Sequence, residues 1–150
     1  GRVGVRVNPH YIDGGINDSD PEALFSHVAR EMERLKIAYF HLIEANISGT
    51  RQAPPPGAKR LLPILRKLFT GPLMINATFT RETADQVIGA GEADLVSFGE
   101  LFISNPDLVE RFRTGAKLNK ADRAKYYVGG PSGYTDYPTL DMEKAAAKAS

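Results

Sequence analysis

The chain contains no cysteine. Disulfides and thiolate metal sites are therefore excluded, and the absence fits a cytoplasmic protein. Histidine is scarce: His10, His27 and His41 are scattered, without HxxxH or carboxylate–histidine spacing, so metal chemistry lacks a usable ligand pattern. No apolar run approaches the ~18 residues of a membrane-spanning helix, and no charged-then-apolar leader is seen. Neither membrane insertion nor secretion is expected. Excess charge is missing too, with 19 basic side chains against 18 acidic and a net charge of +1. No broad field recruits nucleic acid or an anionic membrane. What is present suits one globular domain: 150 residues, 42% hydrophobic and 25% charged, enough to bury a core.

Strand and helix signals alternate along the chain. VGVRVN (3–8) places Val3, Val5 and Val7 on one face and Gly4, Arg6 and Asn8 on the other, a period of two. After a Gly/Asp/Asn-rich loop, Asp18-Ser19-Asp20-Pro21 reads as a helix start, with Leu24, Val28, Met32 and Leu35 as its apolar stripe. AYFHLIE (38–44) is a second strand. SGTRQAPPPG (48–57) is loop by composition, and LLPILRKLF (61–69) is an apolar helix with Pro63 tolerable only in its first turn. PLMINA (72–77) is a third strand, and Thr80 caps a helix carrying Ala84, Val87 and Ile88. ADLVSF (93–98) is a fourth strand. Asn105-Pro106-Asp107 opens a fourth helix, with Leu108, Val109 and Phe112 inward and Gly115 as its stop. Residues 116–150 read as a looping extension with a frayed end in AAAKAS, which sets the expected division at 1–115 and 116–150.

Four βα units fit either a small doubly wound sheet or half of an eight-stranded barrel, whose complete form needs about 250 residues. The first strand bears on the choice. Doubly wound strands are apolar on both faces, whereas here Gly4, Arg6 and Asn8 make one face small and polar, as if it lined a ligand cavity. A guanidinium on such a strand needs a partner, because an unpaired buried charge is costly. That partner is either a nearby carboxylate, such as Glu44, or a bound ligand.

RVGVRVNP (2–9), HLIE (41–44), GPLMINATFT (71–80), DLVSFGELFISNPDLVERF (94–112) and LNKADRAKYYVGGPSGYTDYPTL (118–140) follow in order. Together they closely resemble the C-terminal half of the Old Yellow Enzyme family, FMN-dependent NAD(P)H ene-reductases built as eight-stranded α/β barrels. The resemblance implies the C-terminal half of a TIM (β/α)8 barrel, four parallel βα units plus the extension. It also implies cofactor-binding roles. Arg6 reaches the flavin edge where reduced flavin carries negative charge. Backbone N–H groups of Ala77, Thr78, Gly99 and Glu100 hold the FMN phosphate. Tyr126 lies beside the flavin and Tyr127 beside the substrate pocket. No catalytic residue is assigned, because the family's substrate-activating pair and proton-donating tyrosine belong to strands absent from these residues.

Glu100 departs from the family, which usually has arginine after this glycine. A carboxylate about 5 Å from a phosphate, at an effective dielectric near 20, is repelled by roughly 3 kcal/mol per unit charge. Lys59 and Arg81 are candidate substitute cations. A half-barrel also exposes two strand edges and an apolar face. The chain is therefore expected not to persist as a lone monomer, but to bind a missing N-terminal half or a second copy of itself. Three functions follow: part of an enone-reducing enzyme, inactive alone; a self-assembled half-barrel with weak FMN or phosphate binding; or a non-enzymatic interaction module. Other stretches read as structural. The Pro run at 54–56 is a stiff connector, RFRTGAKLNKADRAK (111–125) a solvated helix end and loop, and His41 a hydrogen-bonded core histidine.

Overall fold

The computed structural model describes residues 2–10, 18–44 and 58–149; the loop expected at 48–57 lies outside them. Two compact units divide at Ser97/Phe98.

The first unit holds strands β1 (Gly4–Val7), β2 (Tyr39–Ile43), β3 (Leu73–Asn76) and β4 (Leu95–Ser97), with helices α1 (Pro21–Arg34), α2 (Leu62–Leu68) and α3 (Arg81–Gly89) between them. The strands pair in parallel, in the order β1-β2-β3-β4. Sequential order without reversal is the winding of a barrel; a doubly wound sheet turns back at a switch point. The register sets Val7, Leu42, Ile75 and Val96 in one row and Arg6, His41, Met74 and Leu95 in the next. Because alternate side chains take opposite faces, these rows separate the sheet's two sides. On the first side Phe40, Leu42, Leu73 and Ile75 are fully buried, as are Ala29, Leu62, Leu65, Ala84 and Val87 of the helices or close to it. The Phe40 ring meets Phe69, just past α2, edge to face at 5.6 Å. On the second side none of Gly4, Arg6, Tyr39, His41, Ile43, Met74, Asn76, Leu95 or Ser97 is buried. The helices cover one face of the sheet and leave the other open. Position 4 on that face is glycine for a steric reason: a Cβ there would lie 2.2 Å from the Tyr39 ring.

Local chemistry sets the helix starts. Asp20 caps α1 by accepting from Ala23 N–H at 3.0 Å, with Pro21 in the first turn. Thr80 and Thr83 form a reciprocal capping box on α3. α2 has no such residue of its own; its N-cap is Leu61. The buried Glu44 carboxylate at the end of β2 takes that place, accepting from Leu61 N–H at 2.6 Å and Leu62 N–H at 3.0 Å. Glu44 is thus not the partner of Arg6. The stripe expected on α1 is also rotated: Ser26 and Ala29 are buried while Leu24 and Leu35 are exposed. Small side chains at the contact let this helix approach closely. On α3, Ala84 and Val87 are buried as expected and Ile88 is not.

The second unit contains α4 (Glu100–Ser104), α5 (Leu108–Thr114), a 3₁₀ turn (Arg123–Lys125) and α6 (Leu140–Ala149). α4 was not expected from sequence, being a five-residue helix too short to show periodicity. α5 ends at Gly115 in the left-handed conformation, φ 68°, as anticipated. Its inward face differs from expectation: Leu108 and Arg111 are buried and Val109 is 70% exposed. Residues three and four apart share a helix face, and position 109 does not share it with 108. Arg111, read as part of a solvated helix end, is the hub of this unit. Its guanidinium donates to Asp107 Oδ1 (2.8 Å), the Lys117 and Pro138 carbonyls (2.6 and 2.9 Å) and Glu143 Oε1 (2.8 Å). Asp107 Oδ2 accepts from Leu140 N–H at 2.7 Å. These bonds bind α5 to the C-terminal segment. The Asp107 bond falls on Leu140, the first residue of α6.

Candidate functional site

The predicted residues fall in both units. Arg6, Ala77 and Thr78 belong to the first; Gly99, Glu100, Tyr126 and Tyr127 belong to the second.

In the first unit Arg6 stands on the open face with its guanidinium exposed, and no carboxylate pairs with it among the described residues. Around it are the apolar or aromatic Tyr39, Ile43, Met74 and Leu95 and the half-buried His41, its register partner. His41 Nε2 lies 3.1 Å from Ser97 Oγ, and Asn76 Nδ2 donates to Ser97 Oγ (3.0 Å) and to the Ser97 carbonyl (2.7 Å). Burial first, and then the neighbouring Arg6 cation, hold the His41 imidazole below its usual range. An open face with apolar side chains around a cation that no carboxylate pairs among the described residues suits a ligand with an electron-rich edge. Ala77 and Thr78 follow β3, half-exposed and exposed, ahead of the α3 cap.

In the second unit Gly99 has φ −101° and nothing lies within 4 Å of where its Cβ would be. Neither folding strain nor close packing requires glycine there, and the space is open to a ligand. Glu100 is engaged by Arg123, which donates from Nε to Oε1 and from Nη2 to Oε2, both at 2.7 Å. This bidentate pair was not foreseen, since the 23-residue separation leaves no periodic signal. Neither expected substitute cation is free: Lys59 pairs with Glu22 at 2.9 Å and Arg81 with Asp85 at 3.7 Å. Tyr126 and Tyr127 meet edge to face at 6.2 Å, and Tyr127 meets Tyr134 at 5.4 Å. The Tyr126 hydroxyl is buried without a hydrogen-bond partner among the described residues. Burial, and next the Glu100 carboxylate, push its ionisation up, so it is a neutral donor seeking an acceptor. Tyr127 adopts φ 58°, a left-handed backbone that costs a non-glycine residue about 1 kcal/mol or more.

Sequence reasoning missed the partners of His41. The available signal was phase: Asn76 and Ser97 are polar residues on the same alternation as Arg6 and His41. Among the described residues no group of three or more potential ligands could hold a metal ion, and no helix is long and apolar enough to cross a membrane.

A sequential parallel four-stranded sheet with helices on one face fits part of a (β/α)8 barrel. Residues 1–119 match the model of the NADH:flavin oxidoreductase / NADH oxidase family. The old yellow enzyme homologue from Zymomonas mobilis superposes with a TM-score of 0.86 at 39% identity, covering 91% of this chain and 38% of that one. Morphinone reductase gives 0.82 at 38% identity, covering 93% and 37%. Among curated relatives, 12-oxophytodienoate reductase 7 of Oryza sativa subsp. japonica is 39% identical over 156 residues, 96% of this chain and 40% of its own length. The chain belongs to the Old Yellow Enzyme family of flavin oxidoreductases. It spans less than half the length of the relatives it matches.

Proposed function

We propose that this chain is the C-terminal portion of an FMN-dependent NAD(P)H oxidoreductase that reduces activated alkenes such as enones, and that it is inactive alone. The observation that carries the reading is Arg6, exposed and without a carboxylate partner among the described residues, on the open face of a barrel-type sheet. FMN, when bound, supplies hydride transfer between the nicotinamide and an electron-poor alkene. Arg6 holds a positive charge where negative charge collects on the ligand. Backbone N–H groups of Ala77, Thr78, Gly99 and Glu100 are the phosphate donors on this reading, since backbone donors need no particular side chain. Glu100 opposes a phosphate less than a bare carboxylate would, because both its oxygens are held by Arg123. Tyr126 and Tyr127 line the cofactor and substrate sides.

The outer sides of β1 and β4 have no strand partner among the described residues. Unpaired edges beside an open apolar face favour association, so the partner is the missing N-terminal half or a second copy. A cytoplasmic location fits the lack of cysteine. The alternative, a catalytically inactive half-barrel or interaction module with weak or lost FMN binding, is favoured by the acid at position 100. The test is titration of purified chain with FMN, followed by visible absorbance and light scattering, with and without a complementary N-terminal half. Flavin retention and enone-dependent NADPH oxidation with the complement are expected; a reassembled barrel that binds no flavin would overturn the reading and leave the alternative.

A further inference from the structure

The polar groups on the open face of the first unit form a connected set. The Ser97 carbonyl can only accept, so the amide nitrogen of Asn76 must face it, at 2.7 Å. The same nitrogen reaches Ser97 Oγ at 3.0 Å. With one lone pair occupied, the hydroxyl is free to direct its proton at His41 Nε2, 3.1 Å away. Its second lone pair can also accept from a protonated ring, so this bond holds His41 in place without fixing its charge. Arg6, level with His41 across the β1–β2 ladder, disfavours the protonated ring by repelling a second cation. The groups facing His41 can be named strand by strand: Arg6 from β1, Tyr39 from β2, Met74 and Asn76 from β3, Leu95 and Ser97 from β4. Arg6 is the one charge among them. Among the described residues no carboxylate on this face compensates a protonated His41.

We propose that His41 is a positioning residue acting through Arg6: held by Ser97 and Asn76, it sets whether this face presents one positive charge or two, and it takes a proton from water when an anion binds beside Arg6. Only a proton moves in this step; no electrons are transferred at the imidazole. By reciprocity, an anion that favours protonation of His41 binds more tightly at acid pH. The proposal deepens the reading of Arg6 as the ligand-facing cation and rests on it.

The test has two arms. In the first, the His41 imidazole resonances of the chain are titrated by NMR. His41 should titrate at higher pH in Arg6→Met, checked for native far-UV circular dichroism. An unchanged His41 titration in a folded Arg6→Met variant would overturn the proposal. In the second arm benzoate, whose charge is constant between mildly acidic and mildly alkaline pH, is compared with neutral benzamide. Benzoate should raise the His41 titration and bind roughly fivefold or more tightly on the acid side, and His41→Asn should abolish that difference. Benzoate that fails to bind, or binds with the same pH profile in both proteins, would refute the linkage. FMN titration of the same samples separates the two readings. Absence of flavin binding with intact benzoate coupling would defeat the flavin assignment and leave the His41 role standing.

Discussion

Replacing Glu44 should unseat the start of α2. Both oxygens of this buried carboxylate accept backbone protons, from Leu61 at 2.6 Å and Leu62 at 3.0 Å, and both leucines are essentially inaccessible to solvent. Hydrogen bonds to a charged acceptor contribute about 1.5–3 kcal/mol each, and buried donors left without partners add their desolvation cost. α2 offers no side-chain cap in compensation. Glu44→Ala should therefore destabilise the first unit by about 3–5 kcal/mol. Glu44→Gln keeps one acceptor but turns an amide N–H₂ toward the second donor, for a loss of about 1.5–3 kcal/mol. Urea denaturation followed by circular dichroism measures both, with the midpoint moving and the slope unchanged. Amide exchange at Leu61 and Leu62 gives a local readout. A Glu44→Ala loss below about 1 kcal/mol, with those amides still protected, would refute the assignment of Glu44 as the remote cap.

Two further outcomes concern charge elsewhere. Arg111→Met leaves Asp107 and Glu143 without their shared cation and frees the Lys117 and Pro138 carbonyls. It should cost about 3 kcal/mol or more and speed amide exchange from Pro138 to Glu143; unchanged exchange there would show that Arg111 does not anchor the segment. Glu33 is lowered to about 2, first by the Lys36 side chain and then by the Thr70 amide. A depressed carboxylate contributes stability above its unfolded value of about 4.5, and this contribution is lost as pH falls toward 2. Glu33→Gln should flatten the acid side of the stability profile, while identical profiles would argue that the Thr70 contact is not maintained in solution.

Much of the fold was legible along the chain because its signals are local. Asp20 and Thr80 mark helix starts through their side chains and Gly115 marks a helix end through its backbone, and alternation in GVRV and LMIN marks strands whatever lies beside them. The face that a helix buries was less legible. Leu24, Leu35 and Val109 are apolar yet exposed, whereas Ser26 and Arg111 are buried. Hydrophobicity names candidates for a core, but the distance to the neighbouring element decides which of them fit.

The candidate site divides along the same line. Residue type and strand phase, read from sequence alone, place Arg6 on the polar face of its strand and mark Glu100 as an acid where the family usually carries a base. Tertiary structure alone decided what those charges meet. Glu44 is the obvious carboxylate for Arg6 by position, but β-strand alternation turns it to the opposite side of the sheet, where α2 needs an acceptor. Arg123 neutralises Glu100 from a turn 23 residues away. Ser97 reaches His41 across 56 residues because two parallel strands carry them to one face. Pairing between charges depends on distances in space, and the chain must fold before those distances exist.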